Sequence, residues 1–403
     1  MVILLLLGLA ILAGLAAGLL LKRVGIPQVV GYILAGLLLG ESTTGLLSHH
    51  LLSQLGPISQ VALGFIGFMV GGELKAEVFR KYGPKFLVIL LSEGLLAAVV
   101  VCAAVTWFTG QLYLGLLLGA LASATAPAAT VNVLWEYRSK GPLTTTILAI
   151  VALDDGLGLL LYAFAVTIAQ VLLGAAPASG WMVWLQPLRE IFGSLLLGGG
   201  AALLVQLALR RLPDEGEQTL CLLTGTILFV CGFAAWLQLS QILANMALGL
   251  VLVNLLPQRL TAVFDRVKGF TPPIYILFFV FIGARLDLAL LPQLGLVGLI
   301  YLLGRTGGKM AGATLGGWLS HAPATVTRYL GWALFSQAGV AIGLALDISH
   351  RFSTLGPLGQ QAGATVLNII AATTVVVQIL GPPAVKYAIS KAGEIPPGAE
   401  KGG

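Results

Sequence analysis

Charge is what this chain has least of. Only 9% of its 403 residues are Asp, Glu, Lys or Arg, while 58% are hydrophobic. A soluble domain carries about 25% charged residues, so this chain cannot cover its surface with charge. It reads as an integral membrane protein, consistent with a mean hydropathy of +0.98. Cysteine is also scarce. Cys102, Cys221 and Cys231 lie in apolar segments without ligand-like spacing and read as core filling. The four histidines, His49, His50, His321 and His350, fall in expected loops, and no metal-type cluster appears. Neither a nucleophile constellation nor a nucleotide-binding loop is visible, so the sequence does not read as an enzyme, and no catalytic residue or cofactor is expected. The net charge of +6 does not point to nucleic acid, because the basic residues sit in short loops.

What the chain does have is long apolar runs. Backbone groups in lipid must pair internally, which leaves helices or a closed barrel. Barrel strands alternate apolar and polar residues. These runs are continuous for about 20 residues and read as helix. The expected fold is therefore all-α, with thirteen transmembrane segments near 2–21, 26–40, 57–72, 85–108, 112–136, 143–173, 187–209, 219–237, 240–256, 271–284, 289–319, 324–347 and 358–389. The first segment reads as a retained helix rather than a signal peptide. Residues 390–403 are polar and expected to be disordered.

Loops after odd-numbered segments, with the C-terminal end, hold seventeen Lys and Arg residues; the opposite loops hold only Arg189, Arg285 and Arg351. The positive-inside rule then places the N-terminus outside and the C-terminus in the cytoplasm. An odd number of segments also allows inverted repeats, with segments 1–6 and 8–13 related and 187–210 as a linker helix.

Few ionisable residues lie deep in these segments: Glu93, the adjacent Asp154 and Asp155 in "ALDDGLG", and Arg305 and Lys309. Intramembrane charge is expensive and marks function by default. Asp154 and Lys309 lie about 16 Å and about 15 Å from the cytoplasmic ends of their segments at ~1.5 Å per residue. Matching depth makes them natural partners. Adjacent helical residues point about 100° apart, so one aspartate can pair with Lys309 while the other faces a water-filled cavity. Neighbouring acids and desolvation raise proton affinity, and a carboxylate so tuned can exchange a proton for a cation. Arg305 shares a helix face with Lys309 and is a second candidate partner for Asp154. It can equally serve as a structural counter-ion, and Glu93 can be structural or tuning. A purely structural Lys309–Asp154 bridge is the bland alternative.

Segment 5 reads "LASATAPAATVNVLWEY". Pro127, flanked by Ala126, removes a helix hydrogen bond, and Ser123, Thr125 and Thr130 offer hydroxyls. A break here frees carbonyl oxygens for a hard cation. Segment 12 reads "LFSQAGVAIGLAL", with Ser336, Gln337 and Gly339 at mid-depth. Paired interruptions in corresponding halves point to a midplane site. Ser336 and Gln337 can also simply join helices.

The ordered set "GIPQVVGYILAGLLLG" (25–40), "FIGFMVGGEL" (65–74), "SATAPAAT" (123–130), "LDDGLG" (153–158), "FFVFIGARLDL" (278–288) and "GRTGGKMAG" (304–312) resembles the cation:proton antiporter-2 family of sodium/proton exchangers. The resemblance implies a dimer-forming scaffold (1–84 and 219–284) and a mobile core (85–173 and 289–389) moving as an elevator. It implies two crossed discontinuous helices and a plasma-membrane location, as in a bacterial or archaeal inner membrane. Asp155 would bind the transported Na⁺ or a proton, with Thr125 and Ser123 completing the site. Asp154 and Lys309 would form a switchable ion pair, associated with electrogenic exchange of two protons for one sodium. The partners expected are the bilayer, Na⁺, Li⁺ or K⁺, protons and a second copy of the chain. A K⁺/H⁺ antiporter on the same fold and a Na⁺-coupled organic-anion symporter are the alternatives. The nucleotide-sensing domain of potassium-efflux relatives is missing from this sequence, which argues against that subclass.

Overall fold

The structure is a computed structural model and describes residues 2–24, 26–73, 84–126, 130–131, 133–134, 137–174, 182–211, 216–255, 264, 267–286, 291–337 and 339–396. Among the described residues, helix is the only regular structure apart from one isolated bridge between Gly40 and Leu47. Leucine, alanine and valine supply helix propensity and apolar surface together.

The chain divides into two compact units. The first holds α1 (Val2–Arg23), α2 (Gln28–Leu39), α3 (His49–Gln54) and α4 (Gly56–Glu73). It is completed by α8 (Met182–Arg211), α9 (Gly216–Trp236), α10 (Gln241–Leu255) and α11 (Pro272–Ala284). The segment expected as a linker, 187–210, thus lies within this unit as part of α8. One core gathers Phe65, Phe68, Ile227, Val230, Leu248 and Leu252, and another gathers Ala35, Val280 and Phe281. Outward leucines and aromatics such as Leu12, Leu204, Phe229 and Trp236 stay exposed, as expected of faces solvated by lipid.

The second unit holds α5 (Pro84–Thr109), α6 (Leu112–Ala122) and α7 (Pro142–Leu172). It continues with α12 (Leu291–Leu319), α13 (Ala324–Tyr329), a 3-10 helix (Leu330–Leu334), α14 (Gly339–Phe352) and α15 (Gly356–Lys391). α5 packs along α12. A Cβ on Gly308 would stand 2.6 Å from Ala97 Cα, and one on Gly312 would stand 2.5 Å from Glu93 Cα. This small-xxx-small spacing lets the two backbones approach closely, and so carries Glu93 up to Lys309.

Six described helices are long and apolar enough to cross a membrane, seven if α13, the 3-10 helix and α14 form one span bent by 48°. Five shorter apolar helices, α2, α4, α6, α10 and α11, accompany them. The tail expected to be disordered from 390 is ordered through residue 396. α15 runs to Lys391 and Glu394 is buried, because its carboxylate has partners on α7.

Candidate ion-binding site

The site is built on α12. Tyr301, Arg305 and Lys309 recur every four residues, so they share one face, and all three are fully buried. Lys309 Nζ donates to Glu93 Oε2 at 2.7 Å, Asp154 Oδ2 at 2.7 Å and Thr125 Oγ1 at 2.8 Å, and also to the Ser123 carbonyl. An ammonium has three hydrogens, so these acceptors share them. The Thr125 hydroxyl in turn donates to Asp154 Oδ2. Two fully buried carboxylates therefore converge on one buried cation. Burial makes that convergence obligatory, because an uncompensated charge here is very costly. Asp154 Oδ1 and Glu93 Oε1 are buried without a hydrogen-bond partner among the described residues. Asp155, next along α7, is also buried.

The chain is interrupted beside this cluster in two places. α6 ends at Ala122, and Ser123–Ala126 are not helical. The 3-10 helix ends at Leu334, Phe335–Gln337 are not helical, and α14 starts at Gly339. Helix ends leave carbonyls without intrahelical partners. Arg305 takes them: it donates to Ala124 O at 2.8 Å, Phe335 O at 2.7 Å and Ser336 O at 3.3 Å. The interruptions are also joined directly, Ala126 N–H donating to Ser336 O at 2.9 Å. Gln337 bridges further, accepting from Tyr301 Oη at 2.9 Å and donating to Leu121 O at 2.7 Å. From α15, Gln378 donates to the Gln337 carbonyl at 2.9 Å. Chemically, the arrangement offers buried carboxylate oxygens held at one lysine, with rigid chain breaks alongside.

A family model described as sodium/hydrogen exchanger, transmembrane, matches residues 7–386. The chain belongs to the sodium/hydrogen exchanger family. It is a multi-pass, all-helical membrane protein. It is 26% identical over 392 residues to the Na⁺/H⁺ antiporter NhaS4 of Synechocystis sp., covering 88% of this chain and 92% of that one. A shorter match, 29% over 153 residues, joins it to a Na⁺/H⁺ antiporter of Enterococcus hirae, covering 36% and 38% of the two chains. Its fold matches that of the sodium proton antiporter MjNhaP1 from Methanocaldococcus jannaschii, with a TM-score of 0.79, 17% identity and 98% of each chain covered.

In this exchanger-family chain the structure brings together Lys309, Asp154, Thr125, Ser123 and Glu93. It modifies other expectations. Among the described residues Arg305 makes no hydrogen bond to Asp154, which Lys309 holds. The hydrogen bonds of Arg305 among the described residues go to carbonyls, because two severed helix ends lie within its reach. Of the segment 5 carbonyls expected to serve a cation, that of Ala124 accepts from Arg305 and that of Ser123 from Lys309. Ser123 contributes its carbonyl to Lys309, since its hydroxyl donates to Ala120 O at 2.8 Å. Gly339, expected in the unwound stretch, is the first residue of α14, just after the described interruption at Phe335–Gln337. Ala126 is non-helical within the first interruption, while Pro127 is outside the described residues. Ser336 Oγ is buried without a partner among the described residues.

The sequence reading of this exchanger-family chain missed Tyr301 and Gln378. Tyr301 was visible as the residue one turn before Arg305 on the same face, and Gln378 as the lone polar residue in "VVVQIL". It also missed Tyr162, which lies two turns past Asp155 on α7 and donates to Asp347 Oδ2 on α14. Arg351 Nε reaches the same oxygen at 2.8 Å.

Proposed function

We propose that this chain is a secondary active Na⁺/H⁺ antiporter, with Li⁺ as a second substrate, working by alternating access. One observation carries the proposal: a fully buried Lys309 holds Asp154, and the neighbouring Asp155 is buried on the same helix. The names of the NhaS4, Enterococcus hirae and MjNhaP1 proteins support the same chemistry.

In this reading Asp155 binds either the cation or a proton. With Asp155 protonated, Asp154 stays paired to Lys309. An arriving Na⁺ displaces the Asp155 proton and draws Asp154 away from Lys309. The ammonium, having lost one of its two carboxylate partners, then releases a second proton. Two protons leave for each sodium, so exchange is electrogenic. Glu93 holds the same ammonium and has to relax in the same step. Arg305 keeps the interruptions rigid while this happens.

The proposed architecture has thirteen spans in inverted repeats, with segments 5 and 12 crossing as discontinuous helices. Residues 85–173 and 289–389 form an elevator-like core moving past a scaffold of 1–84 and 219–284 that dimerises. The chain sits in the plasma membrane with its N-terminus outside and its C-terminus in the cytoplasm.

The test is transport by purified protein in proteoliposomes under an imposed proton gradient, adding Na⁺, Li⁺ or K⁺ in turn. Valinomycin clamps the potential where K⁺ is not the test ion. Dissipation by Na⁺ and Li⁺ that responds to potential is expected. Dissipation by K⁺ alone contradicts the sodium assignment, and exchange insensitive to potential removes the two-proton step.

A further inference from the structure

The aspartate helix α7 starts at Pro142, with Gly141 in the N-cap position and no side-chain cap bond from it. Glycine has no side chain to accept the free N–H groups of the first turn. The acceptor instead comes from beyond the end of α15. Glu394 Oε1 accepts the Leu143 N–H at 2.7 Å, and Oε2 accepts the Thr144 N–H at 2.7 Å and the Thr144 hydroxyl at 2.6 Å. The Glu394 carbonyl accepts the Lys140 N–H at 3.0 Å. Glu394 is only 6% exposed. A Cβ on Gly141 would overlap its carboxyl group, so the bare N-cap is what admits it.

Glu394 is itself held firmly. Gly393 is left-handed at φ +71°. The Gly393 N–H donates to Ser390 O at 3.0 Å and the Glu394 N–H to Ile389 O at 3.0 Å. These bonds close α15 in a Schellman-type turn, which makes Glu394 a rigid extension of α15. The same α15 holds the second chain interruption through Gln378. Glu394 therefore connects the helix that carries the aspartates to the helix that braces the interruption beside them. A negative group at a helix N-terminus also complements the helix dipole.

We infer that Glu394 is a positioning residue for the ion site. It fixes α7 to α15, and so fixes where Asp154 and Asp155 stand relative to the interruption at Phe335–Gln337. Asp154 lies about 16 Å along α7 from Leu143 at ~1.5 Å per residue, so the effect travels through the rigid helix. The inference rests on the antiport reading above.

The test compares wild type, Glu394→Ala, and Glu394→Ala with Gly141→Asp, all as full-length chains in proteoliposomes. Gly141 has an extended backbone that any residue adopts, and truncating Glu394 to Ala removes the three atoms nearest a Cβ there. The carboxylate introduced by Gly141→Asp then caps α7 locally without tying it to α15. E394A is expected to lower Tm by about 2 °C and to raise the apparent KM for Na⁺ about tenfold, with Vmax within about twofold. Adding G141D is expected to restore Tm while KM stays high. A KM that returns with G141D makes Glu394 a cap and nothing more, and overturns the inference. So does a wild-type KM in E394A. If E394A does not fold, Glu394→Gln, which keeps one acceptor oxygen, is expected to raise KM about threefold, and an unchanged KM again overturns it. A wild type that exchanges no cation defeats the antiport reading and this inference together. A working wild type with an indifferent E394A defeats this inference alone.

Discussion

Lys309→Met isolates what the buried cation does for the fold. The substitution keeps an unbranched side chain one atom shorter and removes its charge. Glu93 and Asp154, both fully buried and 2.7 Å from Nζ, then lose their common counter-ion. Arg305 cannot take over without abandoning the carbonyls of Ala124 and Phe335. Removing one partner from a buried ion pair costs about 3–5 kcal/mol. With unfolding entropy of about 2 cal/mol/K per residue over a chain of this length, that is a fall in Tm of roughly 4–6 °C. Thermal unfolding of the detergent-purified protein measures it. The decisive control adds Glu93→Gln and Asp154→Asn to Lys309→Met. The triple variant leaves neither carboxylate at the cluster without its ammonium, so most of the lost stability is expected to return. If the triple variant melts as low as Lys309→Met, or Lys309→Met melts like wild type, the charge accounting of the cluster is wrong.

Glu93 and Asp154 hold the same ammonium but have different proposed roles. Glu93→Gln is expected to keep Na⁺/H⁺ exchange with an apparent KM within about threefold of wild type, whereas Asp154→Asn is expected to lose the response to membrane potential; equal effects in the transport assay contradict that division. Gly312→Leu drives a side chain into the backbone of Ser92 and Glu93. Overpacking typically costs about 1–3 kcal/mol, so a lower Tm together with impaired exchange is expected, and a silent variant would show that α5 and α12 do not approach as described.

Much of this was legible from residue type and spacing. Scarce charge and continuous apolar runs dictated a helical membrane protein, because lipid leaves the backbone few options. Equal depth paired Asp154 with Lys309, since a buried cation seeks the acid at its own level. Glu93 was visible as an intramembrane acid, but its contact with Lys309 depends on how closely α5 and α12 pack. The glycines at 308 and 312 permit that contact without announcing it. The destination of Arg305 was not legible. It depends on where α6 and the 3-10 helix stop, and helix boundaries are set by tertiary partners as much as by propensity. Glu394 was hidden for a related reason: a polar C-terminal composition suggests disorder, and its cap contact with Leu143 and Thr144 spans almost the whole second unit in sequence.

The central claim is that Asp155 carries the transported ion. It is tested most directly by measuring ²²Na⁺ uptake into acid-loaded proteoliposomes with wild type and Asp155→Asn side by side, at matched protein content and with Tm recorded for both. The expected result is rapid uptake by wild type and none above empty liposomes for D155N, with the variant still folded. Uptake by folded D155N at a rate near wild type contradicts the claim and moves the carrier role away from Asp155.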